Sequence, residues 1–199
     1  PRQCDTAKRF QFVQDEILAP LRKVCPDAQI DLIVGNHEYR LLKKLAENSP
    51  QLMVLMSDFM GLSLKDFFGL DKHKVNLICK SDLATWSKKD EKDELKKNYK
   101  IYYDCYVAAH TKNFGFKMHG GSGHTHRAAI HGDRTIEGSK LWYVFPGMCV
   151  RDAVYIEELN GADSGFGLVH IHIETKTVQQ EMIITSGEFV MVGGKLYKR

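Results

Sequence analysis

IDLIVGNHEYR, residues 30–40, is the stretch on which the fold turns. Ile30, Leu32, Ile33 and Val34 make a short β-rich apolar run, the pattern of a parallel strand covered on both faces. Gly35 ends the run, and Asn36, His37 and Glu38 follow at its mouth. Helix-like RLLKKLAEN (40–48) comes next and stops at Ser49-Pro50. An amide and an imidazole cost solvation when buried without partners, so their place at a strand end points to something that receives them.

Working outward, AKRFQFVQDEILAPLRKV (7–24) spaces Phe10, Val13, Ile17, Leu21 and Val24 by three and four. That spacing predicts an amphipathic helix with a kink at Pro20. SLKDFFGL reads as a short helix and KVNLICK as a strand. The charge run SKKDEKDELKKN (87–98) reads as a solvated helix or loop. YKIYYDCYV and NFGFKMH read as strands, and from residue 140 onward KLWYVFPG, GFGLVHIHIE, VQQEMIITS and EFVMVGGKLYK are β segments between turn residues. Helix–strand alternation followed by strands predicts an α/β fold, one sheet packed on another. With no repeat and no low-complexity linker, 199 residues predict a single domain over 1–199.

The bulk numbers narrow the class. Hydrophobic residues at 43% and charged residues at 27% describe an ordinary globular chain. A formal charge of +3 gives little support to a dedicated nucleic-acid surface, though it is compatible with a phosphate-bearing substrate in a cleft. Cys4, Cys25, Cys79, Cys105 and Cys149 lack CxxC spacing and read as free thiols in a reducing, cytoplasmic setting. No apolar run approaches the ~18 residues of a membrane span, and the first residues lack a signal-peptide core.

The second conspicuous stretch is HGGSGHTHR, residues 119–127. On an extended strand His124 and His126 would face one side, and imidazoles suit Mn, Fe, Zn or Ni. Gly120, Gly121 and Gly123 would give the turns and close backbone approach of a ligand loop. HIHIE (170–174) is the internal control: His170 and His172 alternate with aliphatic residues, without glycine or aspartate, and read as a solvent-facing strand surface.

GNHE after one strand and GHTH after another, in that order, resemble the calcineurin-like metallophosphoesterase family. The PGM turn and the closing GGKLYK hairpin are similar to its phage and bacterial single-domain branch, and the resemblance covers roughly residues 25–199. It implies a sandwich of two mixed β-sheets flanked by helices, four layers in all. It also implies two divalent metal ions and hydrolysis of a phosphomonoester or phosphodiester. By the same resemblance Asn36, His124 and His126 are metal ligands and His37 offsets charge at the transition state or protonates the leaving oxygen. Glu38 is structural in that motif, and Arg40 is a candidate contact to a substrate phosphate.

The family pattern opens with DxH and GDxxD, and neither is here. Asp5, Asp15, Glu16, Asp27 and Asp31 lack the required spacing and glycine context. The resemblance therefore implies a chain without the opening strands of the sheet, able to bind one metal ion or none. The family's HG motif would fall near IYYDCY, where Tyr103 and Asp104 stand; Asp104, His110 and His119 are the candidates to replace its ligand. Two alternatives stand beside the enzyme: a non-catalytic interaction domain that retains the fold, and a DNA-end nuclease of the same family.

Overall fold

A computed structural model of the chain describes residues 11–80, 95–112, 115–135, 138–147, 163–185 and 188–198. Phe10, Asp5, Cys4, Cys149 and most of the charge run 87–98 lie outside the described residues. The protein is mixed α/β, with several β-sheets and few helices, as the alternation predicts at that level. It divides into two compact units, Pro1–Lys97 and Asn98–Arg199. Among the described residues no helix is long and apolar enough to cross a membrane.

In the first unit the apolar run becomes β1 (Ile30–Ile33), which pairs in parallel with β2 (Val75–Ile78). Helix α2 (Asn36–Asn48) begins four residues before the predicted RLLKKLAEN start, so GNHE is its first turn. Ahead of β1, a π-helical turn, Val13–Leu18, runs into α1 (Ala19–Val24), with Pro20 in the first turn of the α segment. Helical backbone already precedes Pro20 from residue 11, so the proline withholds an N–H from the turn before it. The π turn carries i→i+5 bonds and rotates the apolar stripe. Leu18 is therefore the buried residue, while Leu21 and Val24 of the predicted stripe are exposed. A second departure is α3 (Pro50–Val54), which continues as a π turn, Leu55–Phe59, where no element was predicted. The predicted short helix is α4 (Leu64–Phe67).

The core of this unit is Leu18, Val34, Tyr39, Leu42, Leu64, Phe68, Leu70 and Val75. Val34 and Tyr39 flank GNHE and are wholly buried, so the motif is anchored on both sides. Arg22 ties the edges together: its guanidinium donates to the carbonyls of His73 (2.9 Å), Lys74 (3.1 Å), Cys25 (3.3 Å), Pro26 (2.9 Å) and Ala28 (2.7 Å).

The second unit is built on a five-stranded sheet of β3 (Tyr99–Tyr102), β4 (Tyr106–Ala109), β5 (His119–Ser122), β6 (Ala129–Thr135) and β7 (Gly138–Val144). Their order is β3-β4-β5-β7-β6. The β4–β5 and β5–β7 pairs are parallel, and the two outer pairs antiparallel. The strand predicted over NFGFKMH starts only at its last residue, His119, and β6 was not foreseen. Two antiparallel pairs follow, β8 (Gly165–His172) with β9 (Thr177–Ile184) and β10 (Phe189–Val192) with β11 (Lys195–Lys198). Gly193 and Gly194 both take positive φ in the last turn, as a two-residue hairpin of type I′ needs. One face of the five-stranded sheet buries Val107, Ala109, Trp142 and Val144.

Candidate functional site

Asn36 and His37 occupy the first helical positions after β1, with Gly35 as the N-cap in extended backbone. The Gly35 N–H donates to Glu38 Oε2 at 2.8 Å, so the carboxylate closes the first turn of α2. That gives Glu38 the structural part the resemblance implies. Asn36 is half-buried, while His37 and Arg40 are exposed.

GHTH follows β5 in the second unit, but it is not a strand. His124 and His126 have φ of 72° and 55°, the left-handed region, and the Thr125 N–H closes a tight turn on the Gly123 carbonyl at 3.0 Å. The expectation that an extended backbone points both imidazoles to one side is corrected by this loop. The glycines also differ from their predicted use. Gly120 and Gly121 are strand residues without positive φ. A Cβ at Gly120 would run into the Trp142 ring, and one at Gly121 into the Tyr106 hydroxyl and the Phe145 ring. The turn conformations fall instead on the histidines.

The loop is fixed from several directions. The Trp142 Nε1–H donates to Ser122 Oγ at 3.0 Å, and the Phe145 N–H to the Ser122 carbonyl at 2.7 Å. At the far side the Asp163 N–H donates to the His126 carbonyl at 2.8 Å, and Asp163 Oδ2 accepts from the Ala128 N–H at 2.8 Å.

Of the three candidates for the missing ligand, the structure brings one to GHTH. His110 Nε2 lies 2.9 Å from His124 Nδ1, with the rings edge to face. His110 immediately follows β4 and His124 lies just beyond β5, so the pair sits at the carboxyl ends of two adjacent parallel strands. Carboxyl ends of parallel strands are where open α/β sheets bind ligands. Two imidazoles bound to one ion at about 2.1 Å and a right angle would hold their nitrogens about 3 Å apart. The pair therefore fits a shared cation, or a single shared proton in its absence. Among the described residues no group of three or more His, Cys, Asp and Glu side chains is positioned to hold a metal ion.

The other two candidates are elsewhere. Asp104 forms, with Tyr103, the positive-φ turn between β3 and β4, at the opposite end of β4 from His110. Its carboxylate is 3.8 Å from Lys176. His119 Nδ1 accepts the Leu141 N–H at 3.2 Å. Burial, and then the Lys140 charge, hold that imidazole below its ordinary pKa. Burial and the neighbouring Tyr102 push the Tyr106 hydroxyl above its ordinary value, so it stays neutral. His170 and His172 are exposed on β8, as the control stretch predicts.

The signal that finds His110 is positional. YVAAH ends its apolar run on a histidine, as GNHE and GHTH follow theirs. Asp163, in NGADSG before β8, carries no such mark. Comparison of the chain with protein-family models, with curated proteins and with solved structures found no match.

Proposed function

We propose that the protein is a metal-dependent phosphoesterase of the calcineurin-like kind, hydrolysing phosphomonoesters or phosphodiesters. The observation that carries the reading is the His110–His124 pair, converging to 2.9 Å at the ends of adjacent parallel strands. GNHE, itself at the end of a parallel strand, supports it. In this reading His110 supplies the ligand that the family draws from its HG motif. His124 and His126 are ligands on the same loop, and Asn36 contributes an uncharged oxygen that adds no repulsion toward an anionic ester. His37, exposed on the first turn of α2, offsets charge on the departing oxygen. Arg40 contacts substrate phosphate. The four-layer sandwich of two mixed sheets, in one domain over residues 1–199, belongs to the same proposal.

A divalent ion such as Mn²⁺ would polarise the phosphoryl oxygens and supply hydroxide near neutral pH. The chain's own part is to hold two imidazoles 2.9 Å apart just beyond the ends of adjacent parallel strands.

The test is hydrolysis of p-nitrophenyl phosphate and its bis ester with Mn²⁺, beside metal analysis of the purified chain. Bound Mn²⁺ and turnover, both lost in His124→Ala, support the reading. No turnover and no bound metal sink it. A non-catalytic domain that holds one ion is the second reading, motivated by a sequence without the DxH and GDxxD motifs of the family pattern. Stoichiometric Mn²⁺ without turnover selects it.

A further inference from the structure

The five-stranded sheet ends on β6, which among the described residues pairs only with β7. The hydrogen bonds of β7 show which main-chain groups of β6 face outward. The Leu141 N–H donates to His119 Nδ1 at 3.2 Å, and the Phe145 N–H to the Ser122 carbonyl at 2.7 Å, both on the β5 side. Main-chain groups alternate sides along a strand, so Lys140, Trp142 and Val144 turn theirs toward Asp133, His131 and Ala129 of β6. The N–H and C=O groups of Ile130, Gly132 and Arg134 therefore point to the open edge. No described residue bonds them there, and residues 130–134 are all exposed.

An open edge is a template for another strand, and proteins commonly blunt it with charge. The charges of β6 instead match a second copy of themselves. Gly132 is the midpoint of Ala129–Thr135, with His131 on one side and Asp133 on the other. Antiparallel pairing of two copies about a two-fold axis through Gly132 sets His131 of each opposite Asp133 of the other. Ile130 falls opposite Arg134 on the other face. In that register the outward groups of Ile130, Gly132 and Arg134 bond one another across the axis. His131 and Asp133 then form the pairs without main-chain bonds, in which side chains stand closer. Moving the axis one residue either way keeps the main-chain bonds but sets Asp133 against itself, or His131 against itself. Charge thus selects the register that also pairs the whole strand.

We propose that β6 is a self-association edge, joining the sheets of two copies of this chain into one continuous sheet about a two-fold axis at Gly132. The interface is isologous, each copy giving and receiving the same contacts. Two strands of seven residues bury far less than the ~1,600 Å² of a standard interface, so the dimer is weak and concentration-dependent. It involves no metal ion and neither imidazole of the His110–His124 pair.

The experiment is sedimentation equilibrium on the whole chain from micromolar to millimolar loading, with amide hydrogen exchange at low and high concentration. The wild type is expected to dimerise, and the amides of Ile130, Gly132 and Arg134 to become protected as it does. Those of His131 and Asp133, already bonded to β7, should change little. His131→Asp sets carboxylate against carboxylate, and Asp133→His sets imidazole against imidazole. Each is expected to raise the dissociation constant about tenfold, because the two-fold axis doubles the altered pair. The combined exchange, His131→Asp with Asp133→His, restores the pairing and the wild-type constant. Gly132→Pro removes the central outward N–H, which β7 does not use, and should abolish the dimer with near-ultraviolet circular dichroism unchanged.

If the proline variant fails to fold, the charge exchange decides alone. A wild type that stays monomeric at millimolar loading overturns the proposal and leaves the edge to a strand of another protein or to solvent. A combined exchange as weak as the single ones overturns the register and the proposal with it. A dimer indifferent to all four variants lies on another surface, which overturns it too.

Discussion

At Gly120 a methyl group would have to share space with the Trp142 ring, and the ring has no easy retreat. It is anchored by its hydrogen bond to Ser122 Oγ and lies in the buried face with Val107, Ala109 and Val144. Gly120→Ala is expected to destabilise the protein by about 1–3 kcal/mol through overpacking, read as a lower urea midpoint at unchanged slope. The same position shows why residue-scale reading fell short. The glycines of HGGSG suggest a flexible ligand loop, yet the first two are spacers for rings from neighbouring strands, which sequence spacing cannot reveal. His119, the residue before them, makes a pH prediction. Its folded pKa lies below the ordinary 6.5, through burial first and Lys140 second. As pH falls through about 6.5 the unfolded chain binds the proton and the folded one does not, so stability falls with pH until the lowered value is passed. Urea midpoints at pH 7.5 and pH 5 should therefore differ less in His119→Gln than in the wild type. An equal difference would refute the assignment.

Among elements, the strands were the legible part, and the reason is their punctuation. β1 and β2 are short apolar runs between turn residues, and EFVMVGGKLYK pairs across a Gly-Gly turn that dictates its own geometry. Helical faces were less legible. The π turn Val13–Leu18 changes the angular step, so a stripe counted at three and four residues lands on Leu21 and Val24 instead of Leu18. What fixes that helix is a long-range contact invisible to periodicity: Arg22, whose planar fork reaches carbonyls of its own turn and of residues 73 and 74. Arg22→Met keeps the stem and removes the fork. A loss of about 1–3 kcal/mol is expected, since each net hydrogen bond contributes roughly 1 kcal/mol and one nitrogen is shared among three of the carbonyls. Arg22→Lys should not rescue it, because an ammonium cannot reproduce the bidentate geometry. Thermal unfolding of the three chains decides the matter, and a lysine variant as stable as the wild type would show that charge alone suffices.

For the whole molecule, GNHE and GHTH belong to different compact units, and a motif pair read along one line of sequence carries no information about such a division. GNHE and GHTH were each legible as a word after a strand; His110, beside His124, was legible only as a position, and the left-handed backbone at His124 and His126 was not legible at all. The division also supplies a measurement. A ligand that binds only the folded state at 100 times its dissociation constant adds about 2.7 kcal/mol to stability. The amides it protects are those of the elements that hold it. Mn²⁺ held by His110 and His124 should slow hydrogen exchange in peptides spanning 106–128, the ends of β4 and β5 and the loop beyond. If Asn36 also ligates, peptides spanning 30–40 are protected in the same titration with the same midpoint. Asn36→Ala should then abolish that protection while sparing part of the protection at 106–128. Protection confined to 106–128 would assign the ion to the imidazole pair and its loop and remove Asn36 from the ligand set. Protection in neither region at saturating Mn²⁺ would leave the 2.9 Å contact as a proton-sharing pair of structural histidines.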